Sequence, residues 1–228
     1  MFNQKYNLID DKKKIFFGRS KSRALSKSKK FFYENHKKDF LVNFEEIKLI
    51  KNKDFVLEIG FGLGENLLFQ ASTNPKDYFI GVDPFVNGVA NVIQKAKELN
   101  LNNISILDIP VQKVIDNFLD NFFSRIFILF PDPWMKNRQK KRRLVNYLFL
   151  EKILKKMKLK STLIFITDDQ DYFNYVLKET SLLKKKNDTF EYSLNNKHPI
   201  VDTKYLNKAN KLKKDIYFLN LDKLKNVA

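Results

Sequence analysis

The sequence predicts an α/β protein with a doubly wound sheet of about seven strands, mostly parallel, with an antiparallel hairpin at one edge and a basic N-terminal arm. Short apolar runs that read as strands alternate five times with segments of helical spacing. The last two strand-like runs show no helical pattern between them, which points to an antiparallel pair. The N-terminal texture differs: Lys12 to Lys38 holds 11 Lys and Arg against one acid, Glu34.

Residues 1 to about 25 read as an extended or disordered arm, because Ser20, Ser22, Ser26 and Ser28 alternate with cations and apolar periodicity is slight. A short helix is expected over Lys27 to His36. Asn43, with Glu45 and Glu46 behind it, reads as the cap of a second helix that ends before Asp54. Residues 1–50 are thus an arm with short helices, and 51–228 the main domain. Within it, Phe55 to Gly60 is a strand running into glycines, and Gly64 to Ser72 a helix. Asp77 to Asp83 is the second strand. Phe85 to Leu99 is helical, with Val89, Val92, Ile93 and Ala96 on one face. Ile104 to Leu107 is the third strand, followed by a helix over Val111 to Leu119. Arg125 to Phe130 is continuously apolar after its first residue, as a central parallel strand is. Leu144 to Met157 is a helix, Leu163 to Ile166 the fifth strand, and Gln170 to Leu183 a helix. Thr189 to Leu194 and Ile216 to Leu221 are the last two strands.

The 228 residues include 43 Lys and Arg, 26 Asp and Glu, two His and no Cys, for a net charge of +17. Without Cys there is no disulfide, thiolate zinc site, iron–sulfur cluster or Cys nucleophile. His36 and His198 cannot build an all-His metal site, so no metal is expected. Met1 to Lys14 has no apolar core of a secretory signal, and the longest apolar stretch, Ile126 to Phe130, cannot span a membrane. A soluble, cytoplasmic, basic protein is expected, either monomer or homodimer. Its charge fits nucleic acid, an anionic membrane surface or acidic proteins.

The string Glu58-Ile59-Gly60-Phe61-Gly62-Leu63-Gly64 lies between the first strand and the first helix of the main domain. Glycines there permit a tight turn and close approach of a ligand to the backbone. Asp83 ends the second strand, where its carboxylate could accept from a ribose diol. A dinucleotide fingerprint would need its third glycine at Glu65, and here it comes one earlier, at Gly64. That tighter form, preceded by acidic Glu58, resembles the loop of S-adenosylmethionine-dependent methyltransferases. A carboxylate beside the loop suits a cationic ammonium group and would repel a pyrophosphate. Asp108, ending the third strand, could accept from an adenine amine or could be a solvated turn residue.

Phe130-Pro131-Asp132-Pro133-Trp134 follows the fourth strand. Two prolines fix φ and push their predecessors toward extended backbone, so Asp132 sits on a stiff stem. In a doubly wound sheet this loop is expected at the carboxyl ends of the strands, facing the ligand. Lys136, Arg138, Lys140, Lys141, Arg142 and Arg143 follow at once, six cations in eight residues. Such a run draws phosphates with salt-sensitive affinity.

These strings, with Thr167-Asp168 and Thr203-Lys204-Tyr205 in the same order and spacing, resemble the bacterial tRNA (guanine-N7)-methyltransferase family. The resemblance covers about residues 16 to 221, and Phe16-Gly18-Arg19 through Leu25-Ser26 resembles that family's N-terminal arm. It implies a Rossmann-like fold, S-adenosylmethionine as cofactor, and methylation of guanine 46 in the tRNA variable loop. It implies that Glu58, Gly60, Gly62, Gly64, Asp83, Asp108 and Asp132 line the cofactor pocket, and that Lys136, Asp168, Thr203, Lys204 and Tyr205 hold the substrate. Arg138, Lys140, Lys141, Arg142 and Arg143 would contact RNA. Met135 and Gln139 stand where the family often has His, Asp83 where it has Glu, Leu206 where it has Glu, and Lys208 where it has Arg.

Guanine N7 has an in-plane lone pair and loses no proton on methylation, so positioning and stabilisation of a cationic base are the requirements. Asp132 is therefore expected to orient guanine and offset its charge rather than act as a base. Alternatives are an amino-group methyltransferase, a catalytically dead nucleic-acid-binding protein on the same scaffold, and a nicotinamide oxidoreductase, which the glycine spacing disfavours.

Overall fold

The computed structural model describes residues 24–194 and 203–225. The arm before residue 24, with Phe16, Gly18 and Arg19, and also His198 lie outside the described residues. Among the described residues seven strands, β1 (Phe55–Ile59), β2 (Tyr78–Val82), β3 (Ile104–Leu107), β4 (Phe123–Leu129), β5 (Met157–Thr167), β6 (Phe190–Ser193) and β7 (Tyr217–Lys223), form one sheet in the order β3-β2-β1-β4-β5-β7-β6. The chain divides into two compact units, 1–118 and 119–228.

In the first unit, α1 (Lys27–Phe40) starts at Ser26, whose hydroxyl accepts from the Lys29 amide at 3.3 Å. It runs one turn beyond His36, packs against α4 (Val86–Glu98), and is tied to it by Lys97 and Asp39 at 3.1 Å. Its end is pinned to β3 (Ile104–Leu107) by a bridge between Leu41 and Ile106. The expected cap at Asn43 is present. Its side chain accepts from the Glu46 amide at 3.0 Å, and Glu46 accepts from the Asn43 amide at 2.7 Å, opening α2 (Phe44–Leu49). β1 (Phe55–Ile59), buried along its whole length, pairs in parallel with β2 (Tyr78–Val82), which pairs in parallel with β3. α3 (Glu65–Thr73) follows β1 and packs on β2. The helix expected over Val111 to Leu119 is replaced by two 3-10 turns, Val111–Lys113 and Ile115–Asn117. Val111, Val114, Ile115 and Phe118 are all buried, a spacing that serves i→i+3 turns as well as an α-helix.

In the second unit, β4 (Phe123–Leu129) pairs in parallel with β5 (Met157–Thr167). A 3-10 segment, Asn137–Arg142, and α5 (Tyr147–Lys156) connect them. β5 begins six residues before the expected Leu163, because Lys158, Lys160 and Ser161 disguise its polar beginning. α6 (Gln170–Lys186) is capped by Asp169, which accepts from the Tyr172 amide at 2.7 Å. β6 (Phe190–Ser193) and β7 (Tyr217–Lys223) are antiparallel, and β7 is also antiparallel to β5, so the expected antiparallel edge is present. The expectation of no helix between them is corrected: α7 (Lys204–Lys211) lies there. β7 sits between β5 and β6, and its buried Lys223 donates to Asn121 Oδ1 at 2.8 Å and to the Met157 carbonyl at 2.6 Å.

Candidate functional site

In the first unit the residues expected at the cofactor gather around the glycine loop. The Gly60 amide donates to the Val82 carbonyl at 2.9 Å, after which Gly60, Gly62 and Gly64 all take positive φ. At Gly64 a Cβ would lie 2.1 Å from Val92 Cγ2, so glycine is needed both for the left-handed backbone and for the seat of α3 against α4. At Gly60 a Cβ would meet nothing within 4 Å, so the space above that backbone is open. Asp83 organises the loop, its Oδ2 accepting from the Gly62 amide at 2.8 Å and its Oδ1 from the Phe85 amide at 2.9 Å.

Glu58 is 4% exposed and accepts from Asn66 Nδ2 at 2.8 Å. Burial pushes its carboxyl up to about 8, and the charge of Asp83 adds to the rise. Near neutral pH it therefore holds its proton, and a cation placed against it would favour the carboxylate. Asp108 follows β3 and is half-buried, and its charge acts on Tyr33 of α1. The Tyr33 phenol is pushed up to about 12, chiefly by burial. Sequence reasoning misses Asn66, the partner of Glu58, and Gly88. A Cβ on Gly88 would lie 1.9 Å from the Gly62 carbonyl, so α4 approaches the loop there backbone to backbone.

In the second unit Asp132 is exposed on a turn of unusual backbone. Phe130 and Trp134 both have φ of +48°, a left-handed conformation that costs a non-glycine residue roughly 1–2 kcal/mol. The turn enters through the Phe130 amide, which donates to the Ile166 carbonyl at 2.8 Å. Of the cations behind it, Lys136, Arg138 and Lys141 are exposed, and the Arg142 guanidinium stacks on Trp134 at 5.1 Å from the ring centroid.

Arg143, expected to contact RNA, is 3% exposed. Its Nε donates to the Pro133 carbonyl at 2.9 Å and its Nη2 to Asp171 Oδ2 at 2.5 Å. Its guanidinium lies over Tyr172 and Tyr175 at 4.8 and 5.2 Å. Lys140 also pairs with Asp171, at 2.9 Å, and these two cations hold that carboxyl below its ordinary range. A charge run in sequence cannot say which member meets a carboxylate 28 residues on, so Asp171 too escapes sequence reasoning.

Asp168 is paired with Lys214 at 2.7 Å. Thr203 is buried, and its hydroxyl accepts from the Leu206 amide at 3.1 Å, which caps α7. Lys204 and Tyr205 form the first turn of that helix. No group of His, Cys, Asp and Glu that could hold a metal occurs among the described residues.

A family model described as "Putative methyltransferase" matches residues 52–219. The fold agrees with solved methyltransferases at low identity. One is an rRNA methylase from Streptococcus thermophilus, 14% identical, covering 90% of this chain and 98% of that one with a TM-score of 0.54. Another, from Streptococcus mutans and solved in complex with SAH, is 12% identical over 78% of this chain and 92% of that one, with a TM-score of 0.52. The fold and the glycine loop thus define a Rossmann-like methyltransferase. Sequence relatives narrow this. A tRNA (guanine-N(7)-)-methyltransferase of Wolbachia pipientis is 35% identical over 80% of this chain and 82% of its own length. One of Caulobacter vibrioides is 39% identical over 68% of this chain and 71% of its own length. A bifunctional methyltransferase of Rickettsia prowazekii is 35% identical over 90% of this chain, which spans only 40% of that longer protein. The chain belongs to the tRNA (guanine-N7)-methyltransferase family.

Proposed function

We propose that this chain transfers a methyl group from S-adenosylmethionine to N7 of guanine 46 in the variable loop of tRNA. The observation that carries the reading is the exposed Asp132 carboxylate on a turn stiffened by Pro131 and Pro133, with exposed cations behind it, in a chain of this family. The cofactor fits the first unit: the open space above Gly60 leaves room for a nucleoside at the backbone, and Glu58, Asp83 and Asp108 offer carboxyl groups to its amines and diol. When bound, S-adenosylmethionine supplies a methyl group carried on a sulfonium.

Asp132 accepts from guanine N1–H and the exocyclic amine, which holds the base in plane and offsets the charge that N7 gains. No side chain has to take a proton, which suits a turn without His at Met135 and Gln139. Lys136, Asp168 and the Thr203-Lys204-Tyr205 segment hold the nucleotide, with Asp168 oriented by Lys214 and Thr203 acting through the cap it gives α7. Arg138, Lys140, Lys141 and Arg142, with the cations of α1, hold tRNA phosphates. The reaction is assigned to the cytoplasm; no helix among the described residues is long and apolar enough to cross a membrane.

The test uses labelled S-adenosylmethionine and two unmodified tRNA transcripts, one with guanine at position 46 and one with adenine. Label recovered as N7-methylguanosine from the first transcript alone is the expected result. Label in N6-methyladenosine, or in neither transcript while cofactor binds, overturns the assigned acceptor.

A further inference from the structure

We infer that Arg143 is a positioning residue for Asp132: it clamps the turn from Phe130 to Trp134 in the one backbone conformation that presents the Asp132 carboxylate. The two prolines stiffen the turn, and its strained ends are tied to the structure around them. Both of its ends, Phe130 and Trp134, sit at a φ of +48°, which bulky side chains keep only where their surroundings over-determine it. At the entrance the constraint is the sheet, through the Phe130 amide and the Ile166 carbonyl. At the exit it is Arg143, whose Nε holds the carbonyl of Pro133, the residue directly after Asp132.

The rest of the guanidinium is committed elsewhere. Nη2 meets Asp171 Oδ2, Nη1 reaches the Asp171 carbonyl at 3.4 Å, and the two rings of Tyr172 and Tyr175 flank it. One planar fork thus ties the turn to the first turn of α6. A lysine could not do this, because a single ammonium lacks donors spaced to span Pro133 and Asp171 together. A buried guanidinium with these partners is also badly placed to meet a phosphate. The exposed members of the same run, Lys136, Arg138 and Lys141, are not.

Trp134 is the sole tryptophan of the chain and closes this turn, so its fluorescence reports the clamp without any substrate. The experiment compares wild type with Arg143→Ala, Arg143→Lys, Asp171→Ala and the exposed control Arg138→Ala. Acrylamide quenching of Trp134 is expected to rise in the first three and stay at the wild-type level in the control. The kinetic arm rests on the proposed tRNA methylation. There, kcat of Arg143→Ala is expected to fall about 100-fold, as for a displaced catalytic group, with tRNA KM and its salt dependence held. Millimolar guanidinium should restore part of the rate to Arg143→Ala, and Arg143→Lys should restore little.

Unchanged Trp134 quenching in Arg143→Ala, with a raised tRNA KM and a shallower salt dependence, would overturn the inference and return Arg143 to the RNA-binding set. If Arg143→Ala does not fold, Asp171→Ala releases the same fork from its other end, and unaltered quenching there overturns the clamp equally. A wild-type protein that labels no tRNA would count against the proposed acceptor, while the fluorescence arm would still decide the clamp.

Discussion

The glycine loop and the Pro-Asp-Pro turn each need left-handed backbone, and they obtain it by opposite means. In the first, positive φ falls on Gly60, Gly62 and Gly64; in the second, on Phe130 and Trp134. Glycine gives that conformation without steric cost and leaves the backbone bare, which suits a loop a ligand must approach. A turn that offers a side chain cannot be built of glycine alone, because a carboxylate on a loose stem is not positioned. Its strain is held instead by two prolines, a sheet hydrogen bond and the Arg143 fork. Charge is handled in contrast as well. The first unit buries Glu58 against a neutral amide, whereas the second buries Arg143 against a carboxylate.

The largest effects should come from adding a methyl group where the first loop has none. Gly64→Ala brings a Cβ to 2.1 Å from Val92 at a φ of +79°, and should cost about 3 kcal/mol in denaturant unfolding. A destabilisation well under 1 kcal/mol would mean the loop relaxes easily and the contrast between the two loops is weak.

Next comes Asp132→Asn, which keeps the shape of the turn and removes the charge. It should lower kcat about 100-fold with tRNA and cofactor saturating, as for removal of an electrostatic stabiliser. Turnover at the wild-type rate would break the assignment of Asp132.

Glu58 offers a pH test. Its folded pKa of about 8 lies above the ordinary 4.5, so between these values the folded state holds a proton that the unfolded state has released. Stability from this group is thus full below about pH 4.5 and lost as pH rises through 8. Glu58→Gln should melt higher than wild type at pH 8 and lose that advantage at pH 4.5. A pH-independent difference in Tm would show that folding does not shift the Glu58 pKa.

The mirror image of the Gly64 test lies at Phe130. Glycine normally costs stability relative to alanine, but here Phe130→Gly should be more stable than Phe130→Ala by about 1 kcal/mol, because alanine keeps the left-handed penalty. The reverse order would show that the turn is not strained at its entrance. Smallest in free energy, Arg138→Ala with Lys141→Ala should make log Kd for tRNA less steep in log salt by about 2, close to one unit for each phosphate left without its cation. An unchanged slope would place the RNA elsewhere.

Much of this is legible in sequence where local pattern and tertiary role coincide. The Asn43 cap, the glycine string between β1 and α3, and Asp83 at the end of β2 each declare themselves within a few residues. What escapes depends on partners far along the chain or on weak local signals. Arg143 looks like its neighbours until Asp171 is placed beside it. Asn66 is an ordinary helical residue until Glu58 is buried against it. α7 is polar and short, with Leu206 and Ala209 too few to mark an apolar stripe, so in sequence it reads as a connection. The 3-10 turns after β3 carry the apolar spacing of a helix, and only the hydrogen bonds separate the two.

The place of β7 bears on how the chain is made. It is made after both β5 and β6, yet it lies between them. While residues 217–223 are still to be translated, β6 has no strand to pair with, and one long edge of β5 offers its unpaired amides and carbonyls to any passing chain. The antiparallel edge of the second unit therefore closes only when Tyr217–Lys223 emerges, and a nascent chain that stalls short of Tyr217 leaves that edge of β5 open to aggregation.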